Sequence, residues 1–318
     1  MINKEPKQYN LSTDFLKLSV LDYGTIINNL ILNDKYGNPV NVIINMPEPL
    51  DYLNNPVYLG ATVGRYAGRI KNGTFYLNNQ QISLDAEKGV HLHGGVNGWS
   101  MKYWTVEAYN NQVDAPFIKL RYNCKHTDKG YPGNITVYTT YTLLDNSLDI
   151  KYEATSDRDT ILNITNHSYF NLSGKGNSID KQSLKINADS YLEVNEKLIP
   201  TGKILSLKDT EMDFSIQRKI EATRVDDTYI LTKDSENDIV IKAPDTGIAM
   251  KVSTNQPAAV VFTPEDFPAI CFETQNYPDA PNHKNFPSAL LKANELYLNH
   301  SVFSFAVEPN NNSNNNAY

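Results

Sequence analysis

Ile135-Thr136-Val137-Tyr138-Thr139-Thr140-Tyr141-Thr142-Leu143 decides the fold class. Along an extended chain successive side chains point to opposite sides, so its odd positions gather Ile, Val, Tyr and Leu on one face. β-Branched and aromatic residues of this kind fit a pleated, half-buried surface. Asp145-Asn146 follows as a turn. Upstream, Phe75-Tyr76-Leu77 and Gln81-Ile82-Ser83-Leu84 flank Asn78-Asn79 and read as a hairpin. Tyr36-Gly37-Asn38-Pro39, Asn72-Gly73 and Tyr131-Pro132-Gly133 mark further turns between strand-like segments. The chain holds 20 Tyr, and no segment carries a sustained helical stripe. The expectation is an all-β protein, a large antiparallel β-sandwich.

Neither a composition shift nor a long linker divides the 318 residues. One domain is therefore expected over 1–308, with a disordered Asn-rich tail over 309–318. No internal repeat of fixed period suggests a propeller. The 29 Lys and Arg against 36 Asp and Glu give a net charge of -7, which opposes nucleic acid and anionic membrane surfaces as partners. Cys124 and Cys271 are far apart with no CxxC spacing, which points to a reducing compartment and neither a disulfide framework nor a thiolate metal site. No apolar run reaches the roughly 18 residues of a membrane helix, and no signal-like segment opens the chain, so a cytoplasmic location is expected. GxGxxG, Walker A and GxSxG sequences are all lacking. What remains is chemistry without a cofactor.

The six histidines can be weighed singly. In a strand His91 and His93 would point to one side, a metal-ligand spacing. Such a site needs a third and usually a fourth ligand, and Val96-Asn97-Gly98-Trp99-Ser100 supplies no carboxylate, so no metal is expected. His167 sits in Asn163-Ile164-Thr165-Asn166-His167-Ser168-Tyr169-Phe170-Asn171-Leu172, either a hydrogen-bonded core residue or a catalyst. Glu273, in Ala269-Ile270-Cys271-Phe272-Glu273-Thr274-Gln275, follows an apolar run and should be partly buried. Desolvation would raise its pKa and suit a general base, while an arginine could equally neutralise it. Gly64-Arg65-Tyr66-Ala67-Gly68-Arg69-Ile70 lets backbone approach closely beside two arginines, for a ligand or for structural ion pairs. Asp226-Asp227 could accept from hydroxyl groups, and Trp99 and Trp104 are sugar-stacking candidates or core.

Taken together and in order, Gly64 to Ile70, Leu92-His93-Gly94-Gly95, Asn166 to Leu172, Asp226, Asn255-Gln256-Pro257 and Glu273-Thr274-Gln275-Asn276-Tyr277-Pro278-Asp279-Ala280 resemble the aldose 1-epimerases, or galactose mutarotases, from about Leu18 to Phe305. The resemblance implies the galactose mutarotase-like supersandwich with an open cleft. It implies interconversion of the α and β anomers of free aldoses such as galactose and glucose without a cofactor. By the same resemblance Glu273 is the general base and His167 the general acid, while Arg69, His93, Asp226 and Gln256 hold the sugar. The protein would act as a monomer or homodimer. Three positions depart from the family pattern: Gly68 where many relatives have Asn, Asp227 where they often have His, and Thr263-Pro264 in place of Thr-Gly.

Two alternatives share the scaffold: a hexose-6-phosphate 1-epimerase, for which Lys71, Lys88 and Lys102 are the obvious basic neighbours, and a non-catalytic carbohydrate-binding protein. A glycoside hydrolase would need a second carboxylate placed as convincingly as Glu273.

Overall fold

The computed structural model describes residues 4–96, 98–233 and 236–309. The Asn-rich tail lies outside the described residues from position 310 onward. Ile135–Leu144 is a strand in which Ile135, Val137, Thr139, Tyr141 and Leu143 are buried and the even positions are not. It turns back at Asp145-Asn146 into Ser147–Ser156, with Leu144 opposite Ser147. The Asn78-Asn79 hairpin also forms, between Thr74–Leu77 and Gln80–Ser83. Both asparagines take positive φ, 50° and 62°, the twist a two-residue hairpin turn requires.

That hairpin is a two-stranded sheet by itself, whereas Ile135–Leu144 and Ser147–Ser156 belong to a nine-stranded sheet ordered Thr105–Asn110, Phe117–Cys124, Ile135–Leu144, Ser147–Ser156, Tyr297–Val307, Ile248–Thr254, Ile239–Lys242, Ser183–Ile186, Arg218–Lys219. A six-stranded sheet faces it: Tyr169–Phe170, Ile270–Gln275, Ala258–Phe262, Asp226–Leu231, Ala188–Val194, Pro200–Ser206. The chain's first four strands form a third sheet, whose Leu18, Val20 and Leu30 join the same core. Among the described residues every named strand pair is antiparallel. No helix there is long and apolar enough to cross a membrane.

Phe303 from the larger sheet stacks on Phe170 of the smaller at 5.5 Å between centroids, and Phe170 meets Phe272 at 6.2 Å. Fully burying each ring is worth about 2–3 kcal/mol, so this trio is a strong tie between the layers. Trp99 and Trp104 are core as well, edge to face at 6.1 Å, which removes them as sugar-stacking candidates.

The inner strands of the six-stranded sheet are buried on both sides. Ile270–Gln275 is buried at all six positions, because Ile270 and Phe272 enter the core while Cys271 and Glu273 point the other way. The neighbouring strands repeat this, with Ala259, Val261 and Tyr229 in the core and Val260, Phe262, Thr228 and Asp226 on the opposite face. Cross-strand pairs Asp226–Phe262, Thr228–Val260 and Val260–Glu273 thereby form one continuous patch. That patch is the floor of a cleft.

Candidate active site

Loops supply the walls. Pro56, Val57 and Tyr58 come from one, Gly68 and Arg69 from another, and Leu92 and His93 from a third. Val194, Leu198, Pro200 and Pro278 close the rim, and His167 and Tyr169 stand beside Glu273.

His167 is fixed by its backbone and by the core below it. Thr165 and Asn166 pair with Val63 and Thr62, and the His167 N–H donates to Ala61 O while its carbonyl accepts from Gly60 N–H. Tyr141 and Tyr152 of the nine-stranded sheet reach this segment. Tyr141 OH donates to Thr25 O at 2.7 Å, Tyr152 OH lies 3.1 Å from Thr62 Oγ1, and Asn166 Nδ2 donates to Gly60 O at 3.0 Å. The buried hydroxyl network thus ties the imidazole's anchor to the larger sheet.

His167 Nε2 lies 3.5 Å from Glu273 Oε1, and both side chains are nearly fully buried. Residues 106 positions apart in the chain meet here as an acid–base pair. Burial pushes the Glu273 carboxyl up to about 8; the Asp226 carboxylate adds to this and Arg69 opposes it. Burial likewise pushes His167 down to about 4. Between those limits the pair carries one proton, held in the empty cleft by Glu273. Moving that proton across 3.5 Å to Nε2 yields carboxylate and imidazolium, a base and an acid side by side. Glu273 Oε2 is buried without a hydrogen-bond partner among the described residues, in a side chain that lines the cleft.

His93 follows the strand Val90–Leu92 in a left-handed conformation, φ 51°. Gly94 after it has φ 85°, and a Cβ there would stand 2.0 Å from Gly64 O, so only glycine lets the turn close. The turn breaks strand alternation and sends the two histidines apart. His91 is buried, its ring nitrogens 2.6 Å from Asp85 O and 2.7 Å from Tyr131 OH, so the His91–His93 ligand spacing does not exist in space. His93 instead joins His167, ring centroids 5.3 Å apart. Ligand atoms of His93, His167 and Glu273 lie within 4.8 Å of one another, close enough to hold an ion. The Gly68 N–H, however, donates to His93 Nδ1 at 3.2 Å. That forces the ring's proton onto Nε2, leaving neither nitrogen a free lone pair for a metal. His93 is a hydrogen-bond donor. Burial, with the nearby His167 and Arg69, holds its pKa well below the ordinary value, so it stays neutral.

Arg69 begins the strand Arg69–Lys71, its NH2 3.8 Å from Asp226 Oδ2. Both are partly exposed, a donor and an acceptor facing the cleft together. Strand alternation separates the two aspartates: Asp226 lies on the cleft face with Thr228, whereas Asp227 is on the side of Tyr229 and accepts from the Asp226 N–H. Gln256 is not brought to the cleft. It is buried and outside the cleft lining, its Nε2 donating to Asn255 Oδ1 at 2.8 Å. Arg65 is structural: it donates to Pro132 O at 2.7 Å and to Cys124 Sγ at 3.0 Å from within the core. Tyr58, Tyr169, Phe262 and Cys271 had no sequence signal of their own. Tyr58 sits at φ 58°, an orientation nothing in Pro56-Val57-Tyr58-Leu59-Gly60 announces.

A cleft with a buried carboxyl–imidazole pair at its floor and an arginine and an aspartate facing it has the equipment of an enzyme that moves protons. The family model described as Aldose 1-epimerase matches residues 7–304. Galactose mutarotase of Sus scrofa is 31% identical over 329 residues, covering 95% of this chain and 94% of the relative. Aldose 1-epimerase of Haemophilus influenzae is 35% identical over 286 residues, covering 80% and 83%. Among solved structures, an aldose epimerase homologue from C. elegans superposes with a TM-score of 0.89 at 25% identity, over 96% of this chain and 100% of that one. The chain belongs to the aldose 1-epimerase family and is an isomerase of that kind.

Proposed function

We propose that the chain interconverts the α and β anomers of free aldoses, with Glu273 as general base and His167 as general acid. In this reading Glu273 takes the proton of the C1 hydroxyl while His167 Nε2 gives one to the ring oxygen. The C1–ring oxygen bond breaks and C1 becomes an aldehyde carbon. Glu273 now holds the proton and His167 is neutral, the same distribution that burial favours in the empty cleft. Rotation about C1–C2 presents the other carbonyl face. The C5 hydroxyl then attacks, returning its proton to His167 as Glu273 protonates the carbonyl oxygen. Each transfer is of the type that contributes roughly 10²–10⁴ in rate.

Arg69 and the His93 Nε2–H serve as donors and Asp226 as acceptor for the sugar's hydroxyls. The observation that carries the reading is the buried Glu273–His167 pair, 3.5 Å apart, with Glu273 Oε2 unpartnered among the described residues. Free, buried Cys124 and Cys271 fit a reducing compartment, and the cytoplasm is the location we propose.

The test is polarimetry: fresh α-D-glucose or α-D-galactose is followed to equilibrium with protein and with buffer alone. Wild type speeds equilibration, and Glu273→Gln and His167→Asn run close to the buffer rate while folded. A wild-type rate in either variant removes that residue from its role.

A further inference from the structure

The imidazole of His167 is held at both nitrogens by alternate residues of one strand. Glu273 Oε1 lies 3.5 Å from Nε2, and Cys271 Sγ lies 3.6 Å from Nδ1. Both side chains project from Ile270–Gln275 on the face turned away from Ile270 and Phe272. Taking the proposed role of His167 as its premise, we propose that Cys271 is a positioning residue. Its sulfur accepts the Nδ1–H of His167 and so keeps the Nε2 lone pair aimed at Glu273 and the ring oxygen of the sugar.

Neutral imidazole carries one proton, and the hydrogen bond at one nitrogen decides which nitrogen has it. Around His167 the other neighbours are the rings of Tyr58, His93 and Tyr169, at 5.7, 5.3 and 5.0 Å between centroids, which present faces and edges to the ring. Cys271 Sγ, at hydrogen-bond distance from Nδ1, therefore favours Nδ1–H. Burial, reinforced by the Glu273 carboxylate, holds the Cys271 thiol protonated well beyond its ordinary range, so the sulfur acts as a neutral acceptor.

The choice of sulfur has a chemical consequence. A carboxylate at this place would stabilise imidazolium and make His167 a weaker acid. A thioether-like lone pair is a weak acceptor: it orients the ring while leaving its basicity low. An ether oxygen is a poor base, and protonating it calls for a strong acid. Nδ1 then keeps its proton throughout the cycle while Nε2 alone gains and loses one.

The experiment uses the full chain labelled with 15N-histidine, with His167 assigned by the loss of its signals in His167→Asn. Two-bond 1H–15N correlations at pH 7 should show wild-type His167 with a protonated Nδ1 and a bare Nε2. Cys271→Ala should populate the other tautomer and lower kcat by about tenfold with KM for the aldose nearly unchanged. Cys271→Ser, whose hydroxyl can accept, should return both readouts most of the way to wild type. A wild-type proton on Nε2, or a Cys271→Ala tautomer identical to wild type, overturns the inference. Should Cys271→Ala fail to fold, the wild-type tautomer and the serine variant decide. Full activity in His167→Asn would sink the catalytic reading itself, whereas an inactive His167→Asn with Nε2–H in wild type sinks only the role of Cys271.

Discussion

Glu273 and His167 are perturbed in opposite directions by the same cause, burial, and this fixes how activity should depend on pH. Below about 4 both groups are protonated and no base remains. Above about 8 the shared proton is lost and no acid remains. The kcat/KM profile should be bell-shaped with limbs near these values, which belong to the pair as a unit. Asp226 raises Glu273 and helps hold Arg69, so Asp226→Asn should move the alkaline limb to lower pH and raise KM; a profile that stays in place would remove Asp226 from the electrostatics of the pair.

The same burial makes a stability prediction. A carboxyl whose folded pKa lies above its unfolded value favours folding at low pH and loses that contribution as pH rises towards the folded value. Glu273→Gln has no charge to bury, so its Tm relative to wild type should climb between pH 5 and pH 9. A constant difference would mean the carboxyl is better solvated than its surroundings indicate.

At the scale of the element, Ile270–Gln275 serves two layers at once, one face closing the core and the other flooring the cleft. Phe272, 1% exposed and packed against Phe170, belongs wholly to the core face. Phe272→Ala should cost about 3–5 kcal/mol in urea unfolding, with the loss in rate following the folded fraction. Gly68 works on the opposite wall, at φ 80°, where a Cβ would stand 2.9 Å from the Pro278 ring carbons. Gly68→Ala must shift the Pro278 loop or strain its own backbone. It should raise KM more than it lowers kcat, and cost at least about 1 kcal/mol. Such elements were legible because a period of two needs no partner to be recognised. The Asn78-Asn79 hairpin and the Ile135 strand came out as read for that reason. Arg218–Lys219 carries no comparable pattern, since a two-residue strand is chosen by the sheet it joins.

Across the whole molecule, charge around the cleft decides the substrate class. Among the described residues lining it, Arg69 is the one Lys or Arg, and it faces Asp226. Lys71, Lys88 and Lys102 are not in that lining. A phosphate dianion would meet two carboxyl groups and a cation already engaged, so hexose 6-phosphates should show kcat/KM lower by at least about tenfold than the free sugars in the same polarimetric assay. Equal values would move the protein to the phosphosugar alternative.

Sequence alone determined the all-β class, through alternation and turn residues, and singled out Glu273, His167, Arg69, His93 and Asp226, because the motifs around them are local in the chain. Only the tertiary structure decided which of two neighbouring candidates faces the cleft. Alternation says that Asp226 and Asp227 point opposite ways, but which way is inward depends on the sheet packed behind them. The same holds for His91 and His93, where a turn that closes on Gly64 O sends one ring into the core and the other to the cleft. Gln256 was read as a ligand from its motif, yet its amide is bonded to its own neighbour. Tyr58 was invisible because its place in the cleft lies wholly in contacts to residues far away in the chain, and a pattern of neighbours in sequence carries no record of neighbours in space.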